Sequence, residues 1–122
     1  MPQITVDHST GVEDFPDAFV RELHETTVEI AGAKPDSCKT LFRCAMYSAF
    51  GYEAPDDDLN QRHAIVHVTI GLLAGRSEET KARLTEAVLE LLRKHVTPLD
   101  GVTLHASAEV RDLDPSYRKF DR

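Results

Sequence analysis

Few side chains in this sequence are placed to do chemistry. Arg76 stands in Gly75-Arg76-Ser77, directly before Glu78-Glu79 and a helical apolar stripe. A turn entering a helix already presents backbone N–H groups to an anion. A guanidinium there can hold a carboxylate through a two-pronged contact. Pairing with Glu78 or Glu79 at the surface is the other reading of the same residue. Arg43 lies between Phe42 and Cys44, and strand alternation turns it away from their face. Six histidines raise the question of a metal. His63 and His67 are four positions apart, which on a strand is about 13 Å, too far for one ion. His63, His67 and His105 are therefore read as structural, with His105 in a hydrogen-bond network. Cys38 and Cys44 form no CxxC pair, and along one strand they stand about 20 Å apart, beyond disulfide reach. No glycine-rich phosphate loop is present. The sequence implies neither a metal nor a cofactor.

The elements that must position these residues are legible from periodicity. Residues 2–8 alternate, with Pro2, Ile4 and Val6 on one face and Gln3, Thr5 and Asp7 on the other, as in a strand. From Asp14 to Ala31, Phe15, Phe19, Leu23, Thr27 and Ile30 recur at helical spacing. Pro16 is tolerated only in a first turn, and Gly32 with Pro35 marks the exit. Residues 38–50 return to period two, with Phe42, Cys44 and Met46 on one face; Phe42 and Met46 read as core. A loop from Glu53 to Asn60 carries Asp56-Asp57-Asp58, a run that solvates easily. The next strand sets Ala64, Val66, Val68, Ile70 and Leu72 against His63, His67 and Thr69. Ser77-Glu78-Glu79 caps a second helix whose stripe is Leu84, Ala87, Val88, Leu91 and Leu92, and Pro98 ends it. The last strand, Val102 to Val110, has Thr103, His105, Ser107 and Glu109 on its polar face.

The order is β-α-β, loop, β-α-β, and the halves at about 2–50 and 63–111 repeat in pattern. Gly11 falls on Gly75, Asp14 on Glu78 and Gly32 on Val96. The expected fold is an α/β two-layer sandwich: one four-stranded mixed sheet with two helices on one face. Its other face is too polar for a second helix layer and too apolar in places to stay wet, so a subunit interface is expected there. The chain has 122 residues, 41% of them hydrophobic and 29% charged, which suits a single domain over residues 1–122. Lys plus Arg is 14 against 21 for Asp plus Glu, a formal charge of −7, which disfavours nucleic acid as a partner. The longest apolar stretch, Ala64 to Ala74, is interrupted by His67 and Thr69 and falls short of the roughly 20 residues a membrane span needs. Reduced thiols and the lack of a secretory signal make the cytoplasm the expected location.

Together, Pro2 after the initiator Met, the stretches His63 to Thr69 and Ala74 to Ser77, and the segment Glu109 to Ser116 resemble the tautomerase superfamily. Within it the likeness is to the 5-carboxymethyl-2-hydroxymuconate isomerases. The resemblance implies that Met1 is removed and that the Pro2 nitrogen is a general base. It further implies a small anionic dienol substrate, Arg76 as a catalytic cation and a homotrimer with sites near subunit boundaries. A secondary amine works as a base only when its pKa falls towards neutrality, and apolar burial and a nearby arginine both lower it. In the isomerases the second strand carries Arg-x-Arg, whereas this chain reads Leu41-Phe42-Arg43, which leaves Arg43 as the substrate-binding candidate. Other proline-based reactions (tautomerase, hydratase or dehalogenase) and a non-catalytic binding module are the alternatives.

Overall fold

The computed structural model describes residues 2–56 and 60–122. The expected removal of Met1 and the Asp57-Asp58 part of the acidic run lie outside the described residues. The elements are β1 (Gln3–Ser9), α1 (Asp17–Ala31), β2 (Lys39–Ala45), β3 (His63–Leu72), α2 (Glu78–His95) and β4 (Thr103–Asp112). A short 3-10 turn, Pro35–Ser37, joins α1 to β2. Strand order is β2-β1-β3-β4. The outer pairs are parallel and the central pair, β1 with β3, is antiparallel. Both helices bury their apolar residues with one face of this sheet, as the sequence pattern predicts. Among the described residues no helix is long and apolar enough to cross a membrane.

Two pairs of positions that the sequence pattern aligns take similar places in the structure. Gly11 and Gly75 both take positive φ, 99° and 125°, in the segments leaving β1 and β3. Gly32 and Val96 are the C-caps of α1 and α2. The helix starts differ. Ser77 caps α2 by accepting the Thr80 N–H at 3.1 Å. α1 begins at Asp17, later than the expected Asp14, because Pro16 holds extended backbone as the N-cap. A proline also disfavours helical geometry in the residue before it, so Phe15 stays outside the helix.

The core lies between the central strands and the helices. Val6 of β1, Val66, Val68 and Leu72 of β3, Phe19 and Leu23 of α1, and Leu84, Val88 and Leu92 of α2 have no solvent exposure. Across the helix pair, the Glu22 carboxylate accepts from Lys94 Nζ at 2.8 Å and from His95 Nε2–H. Those contacts, Lys94 first, hold the Glu22 carboxyl below its usual range. The edge strand β2 corrects one expectation. It stops at Ala45, so Met46 lies beyond it and is 55% exposed, and Phe42 is 39% exposed. Neither is core in the single chain; α1 reaches β2 at Thr40, whose hydroxyl lies 2.7 Å from His24 Nε2, and Phe42 stands 5.1 Å from Phe15, ring centre to ring centre.

This contrast between centre and edge is measurable. Leu84→Ala should destabilise the fold by about 2–5 kcal/mol in a urea titration. Leu41→Ala, at a residue 70% exposed in the chain, should change the stability of the monomer by less than about 0.5 kcal/mol. A large loss for Leu41→Ala in a dilute, monomeric sample would contradict the assignment of β2 as an uncovered edge.

Candidate functional site

β1 is hydrogen-bonded on both sides, so whatever stands at its head lies in the middle of the sheet. Pro2 stands there, fully buried. Proline has no N–H to give a ladder, and the first position of a central strand is one of the few that accept it. The Pro2 carbonyl takes the Lys39 N–H at 3.4 Å, which ties the head of β1 to the head of β2. Gln3 pairs with Lys39 on one side and with Gly71 on the other. The same end of the sheet therefore holds the starts of β1 and β2 and the ends of β3 and β4.

That topology brings Arg76 to the Pro2 end, because β3 finishes there and passes through the Gly75-Arg76-Ser77 turn into α2. Arg76 donates from Nε to the Ala31 carbonyl at 3.1 Å and from Nη1 to the Leu73 carbonyl at 3.0 Å. Ala31 is the last residue of α1, so the guanidinium satisfies an orphan carbonyl and meets the negative end of the helix dipole. The alternative reading, a surface pairing with Glu78 or Glu79, is not made among the described residues; Glu78 pairs with Lys81 instead. Among the described residues, Nη2 of Arg76 has no acceptor.

Two further groups at this end escape the sequence reading. Lys39 heads β2 directly opposite Gln3. Tyr117 accepts a hydrogen bond at its hydroxyl from Gln3 Nε2 at 3.0 Å, and the Leu113 N–H donates to the Leu72 carbonyl, so the segment after β4 crosses here. Gly71 allows that crossing, since a Cβ on it would lie 2.7 Å from Leu113 Cδ2. Parallel pairing supplies the signal for Lys39: two strands joined by a crossover helix start at the same end. The Tyr117 contact has no such signal, because it depends on the path of an irregular segment.

Arg43 is not brought to Pro2 within the chain. It lies opposite Asp7, four positions along β1 from Gln3, or about 13 Å. Its Nε and Nη2 grip the Asp7 carboxylate at 2.7 and 3.0 Å. This contact holds the Asp7 carboxyl below its usual range and pushes the guanidinium pKa up. The pair lies on the sheet face away from the helices, in a transverse row that runs Arg43, Asp7, His67, Ser107 across the four strands.

The histidines form hydrogen-bonded chains on that face. His67 contacts Ser107 Oγ through Nδ1 at 2.7 Å and Glu109 through Nε2 at 3.0 Å. His63 Nε2 meets the Glu53 carboxylate at 2.6 Å, and His63 Nδ1 meets His105 Nε2 at 3.1 Å. A carboxylate only accepts, so His63 carries its proton on Nε2, and when neutral it accepts from His105 at Nδ1. Phe50 stacks on both rings, at 4.4 and 4.0 Å. Among the described residues no three His, Cys, Asp or Glu side chains are grouped to hold a metal ion.

No protein-family model matches the chain. Solved structures do. A 5-carboxymethyl-2-hydroxymuconate isomerase from Deinococcus radiodurans R1 aligns over 98% of this chain and 90% of its own, with a TM-score of 0.60 and 20% identity. A macrophage migration inhibitory factor from Oncomelania hupensis covers 99% of this chain and 79% of its own, with a TM-score of 0.71 and 13% identity. A fused 4-OT, a symmetric trimer, covers 91% and 85%, with a TM-score of 0.62 and 17% identity. The likeness is one of fold: the chain shares with these structures a four-stranded mixed sheet that carries two helices on one face.

The Asp7–Arg43 contact predicts a pH signature. A carboxyl whose folded pKa is lowered stabilises the fold above its unfolded value of about 3.9, and that contribution disappears as pH falls through the folded value. Arg43→Met should therefore unfold at lower urea than the parent at pH 7, with the gap closing towards pH 2. A gap unchanged across that range would show that Asp7 is not the group Arg43 stabilises.

Proposed function

We propose that this chain is a cofactor-independent isomerase. In this reading it converts a 2-hydroxymuconate-type dienol, such as 5-carboxymethyl-2-hydroxymuconate, into its 2-oxo isomer, with the nitrogen of Pro2 as general base. The observation that carries the reading is the complete burial of Pro2 at the head of a central strand, on a fold that a 5-carboxymethyl-2-hydroxymuconate isomerase shares. With Met1 removed, Pro2 has a secondary amine. Burial disfavours its protonated form, which lowers the pKa towards the range where a base is useful. With Met1 in place the same nitrogen is a tertiary amide and has no basicity.

The chemistry asks little more than a base and a cation. The amine takes the hydroxyl proton of the dienol, the electrons shift along the conjugated system, and a proton is returned to a remote carbon. The net change is zero, so no oxidant or cofactor is consumed. Negative charge grows on the oxygen during the transfer, and a cation aimed at it lowers the barrier. Arg76 and Lys39 are among the cations that the topology brings to the Pro2 end, and Arg111 of β4 stands in the same row as Gln3 and Gly71. Arg43, held by Asp7, would have a part only through a neighbouring copy. Assembly as a trimer fits the polar, uncovered sheet face, and a structure of the same fold is a symmetric trimer.

Two measurements test the reading. Loss of Met1, read by intact mass, should be required for isomerase activity, and Pro2→Ala should lower the rate by about 10²-fold or more while the fold persists. Full activity in protein whose mass includes Met1 would overturn the assignment. For Arg76, replacement by Ala should both lower kcat and raise KM, and Lys should rescue only in part because it lacks the planar fork. It should also cost stability, about 1 kcal/mol for each carbonyl bond lost. Lost stability with both kinetic constants unchanged would make Arg76 a purely structural clamp.

A further inference from the structure

The end of the sheet opposite Pro2 carries a groove of about 600 Å³ that the proposed chemistry does not use. Phe15, Phe42 and Leu99 give it apolar walls, and Glu13, Asp14 and Asp17 an acidic rim. Phe42 and Leu99 are 39% and 41% exposed. None of the three carboxylates belongs to an ion pair among the described residues. An apolar surface rimmed by unpaired acids suits an aromatic residue flanked by cations.

The chain itself carries such a segment. Arg118-Lys119-Phe120-Asp121-Arg122 sets three cations and one anion around a phenylalanine that is 80% exposed. The hydrogen bonds and ion pairs of this segment are local among the described residues, and Asp121 lies within the field of Lys39 at the Pro2 end. Arg118 donates to the carbonyls of Pro115 and Tyr117, Lys119 pairs with Asp121, and the Arg122 guanidinium lies 5.6 Å from the Phe120 ring centre. It does not lie in its own groove. Tyr117 is held to Gln3 at the Pro2 end, and the three residues from there to Phe120 extend at most about 10 Å. Along β1 the groove is lined by His8 and Ser9, about 17–20 Å from Gln3, and it reaches back to Phe42, opposite Val6.

We propose that the groove of one copy receives residues 118–122 of a second copy. Phe120 would lie against Phe15 and Phe42, where aromatic rings pack edge to face or offset. Arg118 and Lys119 would meet Glu13 and Asp14. The contact joins different surfaces on the two copies, so repetition closes a ring when the rotation permits and otherwise builds a filament. It is independent of whether Pro2 acts as a base.

Reciprocal charge reversal tests the pairing in the full chain. Self-association is followed by sedimentation velocity over a dilution series, with circular dichroism confirming that each variant is folded. Glu13→Lys with Asp14→Lys, both ahead of α1, should weaken association at least tenfold, and so should Arg118→Glu with Lys119→Glu. An equimolar mixture of the two variants should recover mixed contacts, and the chain carrying all four changes should associate as the parent does. Phe120→Ser should weaken association without changing its salt dependence, whereas each charge variant should flatten it. A parent chain that does not associate, reversals that leave association unchanged, or a fourfold variant that is not restored would each overturn the proposal.

Discussion

The buried pairing of β1 between β2 and β3 is the constraint on which the rest of the structure depends. A strand hydrogen-bonded on both edges must supply every backbone donor, and Pro2 has none, so the ladder can begin only at Gln3. This fixes the head of the chain in the middle of the sheet. Antiparallel pairing with β3 then returns the Gly75-Arg76-Ser77 turn to that same end, and parallel pairing with β2 brings Lys39 beside it. The packing of Val6, Val66 and Val68 beneath the helices holds this geometry in place. Fully burying each such side chain contributes about 1.5–3 kcal/mol.

The two faces of the sheet meet different physical demands. The helix face is dry and apolar. The other carries charges and imidazoles whose hydrogen bonds are met within the face: Arg43 by Asp7, His67 by Ser107 and Glu109, His63 by Glu53 and His105. Because these groups satisfy one another in the single chain, covering the face by another copy would leave few polar atoms stranded, and stranded polar atoms are what make a polar interface costly. Leu41, Met46 and Tyr47, all well exposed at the β2 edge, supply apolar area that such a contact would remove from water.

Much of this was legible in the sequence because burial imposes a period. β1 and β3 alternate against a helix layer over most of their length, and α2 carries its stripe, its serine cap and its basic last turn in order. β2 misled because an edge strand is not forced to bury either face, so Phe42 and Met46 follow the alternation without lying in the core. Pro16 shifted the start of α1 through backbone sterics that apolar spacing does not register. The residue type and face of Arg43 are legible in the sequence, whereas its register is not. Four residues along the strand separate it from the Pro2 end and place Asp7 opposite it. The Tyr117–Gln3 contact was beyond reach altogether, since the segment after β4 has no period to read.

The central claim is that burial at the head of β1 turns the Pro2 nitrogen into a usable base. The most direct measurement is the titration of that nitrogen, in chain lacking Met1 and labelled with ¹⁵N proline, followed by NMR. The account predicts a pKa clearly below the ordinary α-amino range of about 7.7–8.0, returning towards that range when the chain is unfolded in urea. A pKa at or above that range in the folded protein would contradict it.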